Sequence, residues 1–106
     1  PMRPRETLNF VVRYPPDAVE IHRAARKHRI RDEDMRHAVV HAVYSGELED
    51  DGDEGGPLRV LYLGPDRAGN LLELVVIERD DGSQLAIHAM KMQPRYRELL
   101  PQELKA

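Results

Sequence analysis

The second half of the chain alternates apolar runs with turn residues in a way that predicts β-structure. Three runs rich in Leu, Val and Ile cover residues 58–63, 70–79 and 84–92. Gly, Pro and Asp residues separate these runs. Asp81-Gly82, between the last two, is a strong signal for a two-residue hairpin turn, because the favoured hairpin turns need residues that accept positive φ. The pattern therefore predicts an antiparallel meander of three strands.

The first half of the chain predicts mainly helices. A short β-like run at residues 8–14 is closed by two prolines, after which apolar positions recur at helical spacing from Pro16 to His28. A second helical stripe follows Asp32, which we expect to be the N-cap, and should end at Gly46. Residues 94–100 predict a short C-terminal helix.

These elements together predict an α+β fold. We expect an antiparallel sheet of three to four strands, with two N-terminal helices and the short C-terminal helix packed on one face. The 106 residues suffice for one domain, with a tail at residues 1–7 and a flexible acidic loop at 46–57. The absence of cysteine excludes disulfides and thiol chemistry. No apolar run reaches the roughly 18–20 residues of a membrane-spanning helix, so we expect a soluble cytoplasmic protein.

The net charge of −3 hides two segments of opposite charge. Residues 47–54 contain six acids without the regular spacing of a calcium loop, which is typical of a solvated loop. Residues 22–31 contain five Lys or Arg, two His and no acid. Such a basic segment favours a polyanionic partner, although a solvated helix face has the same composition.

The predicted hairpin turn also fixes which side chains share a face. With Asp81-Gly82 in the turn, Asp80 pairs with Ser83. Their residue numbers sum to 163, and so do those of every other pair in the predicted hairpin. One face is then apolar and should meet the helices. The other face carries Glu73 and Arg79, with His88 diagonal to Glu73. We expect Arg59 to lie beside Val75 and His88 on this polar face. The predicted apolar face comprises Leu72, Leu74, Val76 and Glu78 opposite Lys91, Ala89, Ile87 and Leu85.

The polar face groups an imidazole, a carboxylate and guanidinium groups, which suffice for RNA cleavage without a metal. That reaction needs a base for the ribose 2′-OH, cations for the charged transition state and an acid for the leaving 5′-oxygen. An imidazole such as that of His88 can act as base or acid near neutral pH, and the guanidinium groups of Arg59 and Arg79 suit a phosphate. A partly buried strand histidine among surface ion pairs would produce the same pattern.

A second histidine cluster lies on the second predicted helix. Asp34, His37 and His41 have the spacing i, i+3, i+7 and share one helix face, so they could meet a metal ion. They lack the His-Glu-x-x-His pattern of helical zinc sites. We therefore expect an exposed or partner-facing helix surface here, and neither a metal nor a cofactor.

Several short motifs resemble those of the BrnT-like toxins, which belong to the wider RelE-like group of ribonuclease toxins. Lys27 and His28 match the Lys-His-Gly segment between the first two helices of that family. Arg59 matches an Arg at the start of the meander, and Arg79 matches the Glu-Arg that ends the next strand. The resemblance follows the order of elements over about residues 9 to 100.

Two positions depart from the family pattern. Arg29 stands where the family has Gly, and His88 occupies the Ser position of the last strand. The Arg of that strand has no counterpart unless Lys91 replaces it. These departures bear on the catalytic detail more than on the fold.

The resemblance implies a type II toxin that cleaves RNA and is held inactive by a cognate antitoxin, usually a small DNA-binding protein, through which an oligomer could form. We therefore expect a metal-independent endoribonuclease that cleaves mRNA. The alternative is a non-catalytic protein-binding module, such as a toxin that has lost its catalytic groups. The expected catalytic residues are His88, Arg79, Glu73 and Lys27, and the expected RNA-binding residues are Arg59, His28, Arg26, Arg29 and Lys91.

Overall fold

The computed structural model describes residues 19–49 and 57–105. The predicted strand at 8–14, the tail at 1–7 and residues 50–56 of the acidic loop lie outside this part of the chain. None of the helices in the described ranges combines the length and the apolar content needed to cross a membrane. The elements in chain order are β1 (Val19–Ile21), the 3₁₀ helix η1 (Arg23–His28), α1 (Asp32–Val40), β2 (Tyr44–Glu47), β3 (Leu58–Pro65), β4 (Leu71–Glu78), β5 (Gln84–Lys91), and the 3₁₀ helices η2 (Pro94–Leu99) and η3 (Gln102–Leu104).

The five strands form one sheet in the order β1-β5-β4-β3-β2. Strands β2 to β5 pair antiparallel, whereas β1 pairs with β5 in parallel. The predicted α+β class and the three-stranded meander are therefore confirmed. The expected antiparallel sheet of three to four strands is corrected to a mixed sheet of five, because one short strand adds to each edge of the meander.

The helix predicted from Pro16 to His28 is wrong at Val19–Ile21 but present, as a 3₁₀ helix, at Arg23–His28. Val19–Ile21 form β1, and the chain then continues as η1, which ends at Arg29 in the left-handed conformation with φ 64°. The β-branched side chains of β1 favour a strand, and pairing with the edge of β5 satisfies its backbone groups. The spacing of apolar side chains could not reveal that distant pairing partner.

Helix α1 is shorter than predicted. Arg31, not Asp32, is its N-cap residue, and the helix ends at Val40 instead of continuing to Gly46. Val43 then donates a backbone hydrogen bond of 2.8 Å to β3, and the chain follows β3 as β2. Gly46 therefore lies inside a strand and not in the predicted acidic loop, because the edge of β3 supplies the backbone partners.

The hairpin between β4 and β5 has a three-residue loop instead of the expected two-residue turn. The backbone N–H of Arg79 donates to the carbonyl of Ser83 at 2.9 Å, and Gly82 takes φ 89°. From the loop as far as Ile87, the residue numbers of each opposed pair sum to 162, as those of Arg79 and Ser83 do. An irregularity at Ile87 then restores the predicted sum of 163 over the rest of the hairpin.

Because Ile87 is an extra residue in β5, the side chains of β5 keep their predicted faces on one side of it and take the opposite faces on the other side. Toward the C-terminal end of β5 the predicted faces are confirmed, with His88 opposite Val75. Toward the loop the prediction is wrong, since Ala86 lies on the side of the sheet that was expected for Leu85. A shift of one residue has this effect because side chains alternate between faces along a strand.

One face of the sheet, called here the helix face, packs against α1 and η1. Gly64 lies where α1 crosses β3, and a Cβ at this position would overlap the main-chain carbonyl of Ala38. The face is apolar, as the alternation along β4 predicts, and it forms the larger core. Its buried residues are Val19, Ala25, Met35, Ala38, Leu72, Leu74, Val76, Ala86 and Ala89.

The opposite face, called here the site face, carries Glu73 and His88. The C-terminal segment covers part of it, because Leu100 packs there against Leu61 and Leu63. The predicted C-terminal helix is therefore present as η2, in 3₁₀ form, but its expected packing beside the N-terminal helices is wrong. Strand β3 is apolar on both faces, so the sheet needs cover on both sides.

Candidate functional site

Glu73 places a carboxylate inside the site face. Only 1% of the residue is exposed, and it is the one charged residue fully buried in the part of the chain that the structure describes. Three groups donate to its carboxylate: His88 Nε2 at 2.9 Å, the backbone N–H of Gln93 at 2.8 Å and the Gln93 side-chain amide at 2.9 Å. Burial of a carboxylate without such donors would be strongly destabilising, so these hydrogen bonds are what allow Glu73 to lie here.

His88 connects the buried carboxylate to the surface. Its side chain is 34% exposed, and it lies diagonal to Glu73, as the register predicts. A carboxylate accepts hydrogen bonds and does not donate them, so the proton shared with Glu73 lies on Nε2 of His88. Nδ1 is then the nitrogen that can exchange a proton with a bound molecule. An imidazole held in one tautomer by a carboxylate is suited to general acid–base catalysis.

His28 adds a second imidazole beside His88. The two ring centroids are 5.8 Å apart and the ring planes meet at 78°, an edge-to-face contact. Helix η1 lies along β5 because the backbone N–H of His22 bonds β5 at 2.9 Å and the side chain of Ala25 is buried. The left-handed conformation of Arg29 ends the helix directly after His28.

The basic residues around His28 differ in whether the structure shows them in an ion pair. Lys27 and Arg29 are exposed on either side of it. Arg26 instead donates to both carboxylate oxygens of Asp32, at 3.0 and 2.7 Å. These hydrogen bonds raise the pKa of Arg26 and lower the pKa of Asp32. The expected RNA-binding role of Arg26 therefore competes with an ion pair at the start of α1.

Arg59 lies on the site face, as predicted, but farther from His88 than expected. It pairs with Ile77, and Leu61 takes the predicted place beside Val75. The loop between β3 and β4 comprises residues 66–70, so each residue of β3 pairs two positions farther along β4 than expected. This difference moves Arg59 by about 7 Å along the strand.

The structure does not bring Arg79 to His88, which corrects its expected catalytic position. The Arg79 guanidinium donates to both carboxylate oxygens of Glu20, at 3.1 and 3.3 Å, and to the hydroxyl of Ser83 at 3.0 Å. The hydrogen bond to Glu20 raises the pKa of Arg79. Val75, which lies opposite His88, precedes Arg79 by four residues, or about 13 Å of strand. In the predicted register Arg79 already lies at the hairpin end of β4, opposite Gln84, so its distance from His88 follows from the length of the strand and not from the loop.

The C-terminal end of β5 differs from the expected site in two ways. Lys91 pairs with Leu72 and so belongs to the helix face, away from the imidazoles on the site face. Gln93, which the sequence did not identify, donates two of the three hydrogen bonds that satisfy Glu73. The sequence feature that marks Gln93 is its position directly before Pro94, which makes it the N-cap residue of η2. That signal locates a helix start but does not show that the loop turns back to a strand carboxylate.

In the second histidine cluster, the contacts of Asp34 are separate from those of the two histidines. Asp34 accepts hydrogen bonds from the side chain of Arg67 at 2.8 Å and from its backbone N–H at 2.9 Å, and these lower the pKa of Asp34. His37 Nδ1 lies 2.8 Å from the carbonyl oxygen of Pro65, and its ring lies beside that of His41. No three His, Asp or Glu side chains within residues 19–49 and 57–105 are grouped so that they could hold a metal ion.

The chain matches no protein-family model, no curated protein and no solved structure. The resemblance to the BrnT-like toxins therefore rests on the short motifs and the order of elements alone. The geometry around His88 is the independent observation on which a functional proposal can be built.

Proposed function

We propose that the protein is a metal-independent endoribonuclease that cleaves mRNA through the ribose 2′-OH. The observation that carries the proposal is the row formed by Glu73, His88 and His28, which leads from a buried carboxylate to two adjacent imidazoles at the surface. Two imidazoles can supply both proton transfers of the reaction, since one takes a proton while the other gives one.

Glu73 favours His88 as the base. When His88 takes the proton of the 2′-OH, it becomes a cation next to a buried carboxylate, which stabilises that charge. The 2′-oxygen then bonds to phosphorus as the bond from phosphorus to the 5′-oxygen breaks, and protonated His28 gives its proton to the leaving 5′-oxygen. One proton is taken and one is given, so the products are a 2′,3′-cyclic phosphate and a 5′-hydroxyl.

Cations near the imidazoles support a phosphate-containing substrate. Lys27 and Arg29 flank His28 in an exposed basic segment, and Arg59 lies on the same face as His88. Positive groups at these positions attract an RNA backbone and stabilise the negative charge that develops on the phosphate oxygens.

We extend the proposal to the toxin component of a type II toxin–antitoxin system, a single-domain cytoplasmic protein bound by a cognate antitoxin. Its support is the motif resemblance together with one backbone feature. Arg29 takes φ 64° at the position where the BrnT-like family has Gly. Glycine is the residue that most readily adopts this conformation, so a family Gly is physically sensible at the position that Arg29 occupies.

A non-catalytic protein-binding module is the second candidate function. Arg79 is committed to Glu20, which removes one expected phosphate ligand from the imidazoles. Leu58, Leu99 and Leu104 are 42%, 39% and 43% exposed, and apolar side chains of this size can contribute to a protein interface. A module of this kind would bind its partner without cleaving RNA.

Controlled expression in a bacterial host separates these two functions. We expect the wild-type chain to arrest growth and fragment cellular RNA, and we expect His88→Ala to lose both effects while remaining folded by circular dichroism. His22→Asn is a matched control, because it removes an imidazole but keeps a side chain that can cap η1. Full toxicity of His88→Ala would refute the catalytic assignment, and growth arrest with intact RNA would favour the binding module.

A further inference from the structure

His37 and His41 form a pair of imidazoles at the C-terminal end of α1, outside the proposed RNA site. Their spacing of i, i+4 places both side chains on one helix face. The ring centroids are 4.3 Å apart and the ring planes are tilted by 36°. His37 is partly buried and His41 is exposed, so the pair can be reached from solvent.

The contact of His37 with β3 determines which of its nitrogens is available. Nδ1 lies 2.8 Å from the carbonyl oxygen of Pro65, and a carbonyl only accepts hydrogen bonds. The proton therefore lies on Nδ1, and Nε2 carries the lone pair. Histidines that bind metals have this arrangement, with the second ring nitrogen donating to a carbonyl or carboxylate. The fold thus orients His37 as a ligand before any ion binds.

Contrary to the expectation from the sequence, we propose that His37 and His41 together bind a divalent transition-metal ion, with water completing its coordination. An ion about 2.0–2.1 Å from two imidazole nitrogens requires both rings to direct a nitrogen at one position. The ring centroids are 4.3 Å apart, which is close enough for rotation about the side-chain bonds to bring one nitrogen of each ring to a shared ion.

The surroundings of the pair determine the class of ion. Asp34, one turn before His37, is bound by Arg67 and so does not provide a third ligand. Two neutral imidazoles without a carboxylate favour Zn²⁺, Ni²⁺ and Cu²⁺ over Mg²⁺ and Ca²⁺, which take oxygen ligands. Because His41 is the C-cap residue of α1, an ion bound by both rings stabilises the last turn of that helix.

Calorimetric titration of the untagged full-length chain with NiCl₂ and with ZnCl₂ tests the site. We expect one saturable binding event in the wild type. His41→Ala removes an exposed ligand at a helix end and should weaken the metal affinity by more than about tenfold. Loss of a group that only supports a ligand already costs about that much. The double variant His28→Ala/His88→Ala removes the other adjacent imidazole pair and should keep wild-type affinity.

Thermal unfolding and NMR give independent measurements on the same variants. Ni²⁺ should raise the Tm of the wild type and of the double variant but not that of His41→Ala. Zn²⁺ should shift the imidazole proton signals of His37 and His41 first. The proposal is overturned if the wild type shows no saturable binding, if His41→Ala binds as tightly as the wild type, or if only the His28/His88 variant loses the ion.

Discussion

At the scale of single residues, the buried carboxylate of Glu73 is the feature that is most costly to maintain. It lies between Leu72 and Leu74 in a central strand, where a charge is stable only if donors surround it. His88 and Gln93 supply those donors. Buried charged groups are often found at functional sites. We therefore propose that Glu73 positions His88.

Glu73→Gln tests this assignment directly. The substitution replaces an accepting oxygen with a donating amide, which then faces groups that are themselves donors. We expect the free energy of unfolding in urea to fall by about 1–3 kcal/mol. RNA cleavage should fall as well, because His88 loses the group that fixes its tautomer. Glu103→Gln, at an exposed position in η3, should change stability by less than about 0.5 kcal/mol. Wild-type stability and cleavage in Glu73→Gln would contradict the assignment.

Arg29 offers a second test at this scale, since its backbone is strained while its charge is useful. Arg29→Gly should raise the free energy of unfolding by up to about 1 kcal/mol, because relief of the left-handed conformation exceeds the added chain entropy. The same change should weaken RNA binding, since a cation is lost. Arg29→Ala is the control, because it loses the charge but keeps the Cβ. Equal stability of the Gly and Ala variants would show that no strain is present at residue 29.

Some site residues could be predicted from the sequence and others could not. Glu73 and His88 were predicted together, because alternation along two adjacent strands is a local rule and the relevant half of the hairpin kept its register. Arg79 was expected in the catalytic group because it shares a face with His88, but a shared face does not bring together residues that lie four positions apart along a strand. Gln93 was missed because its role depends on the path of a loop, which no periodic pattern encodes.

At the scale of secondary-structure elements, the local pattern of apolar and polar residues predicted the three strands of the meander but not the short strands at the edges of the sheet. Strands β3, β4 and β5 contain long apolar runs, and all three were predicted. Strands β1 and β2 have 3 and 4 residues, and they form because the edges of β5 and β3 offer backbone partners. Segments this short resemble helix starts or helix ends until the distant edge is known.

The crossing of α1 over β3 depends on the absence of a side chain at Gly64. We expect Gly64→Ala to lower the free energy of unfolding by about 1–3 kcal/mol, because the new Cβ overlaps the main-chain carbonyl of Ala38. Gly46→Ala in β2 is the comparison variant, since the atoms nearest to its Cβ belong to the side chain of Tyr44 and not to the main chain. Chemical denaturation compares the two, and equal losses would contradict the tight crossing.

The contact between α1 and the loop after β3 should be sensitive to acid. The hydrogen bonds from Arg67 lower the pKa of Asp34. Its contribution to stability is therefore complete above the ordinary aspartate pKa of about 3.9 and is lost as the pH falls through the lower folded value.

Asp34→Asn removes this contribution. We expect a loss of less than about 1 kcal/mol at pH 7, because the ion pair is partly exposed, and a shallower fall in stability below about pH 4. Urea midpoints measured from pH 7 to pH 2 give both quantities, and Asp80→Asn in the hairpin loop is the charge-matched control. A pH profile that coincides with the wild type would rule out the contribution of Asp34.

At the scale of the whole molecule, the sheet order places the basic helix η1 and strand β2 at opposite edges. Helix η1 lies along β5, next to β1 at one edge, whereas β2 forms the opposite edge and ends at Glu47. The helix face holds most of the buried core, and the site face combines a smaller apolar cluster with the Glu73–His88 pair. We propose that RNA approaches the protein at the edge where His28 and His88 meet.

Cleavage of a short RNA by the purified full-length chain in the presence of a chelator tests the proposed chemistry most directly. We predict fragments that end in a 2′,3′-cyclic phosphate and a 5′-hydroxyl, no cleavage of the DNA of the same sequence, and a rate at least about 100-fold lower for His88→Ala. Intact RNA after incubation with the folded wild type, or cleavage by His88→Ala at the wild-type rate, would contradict the proposed role of the Glu73–His88–His28 row.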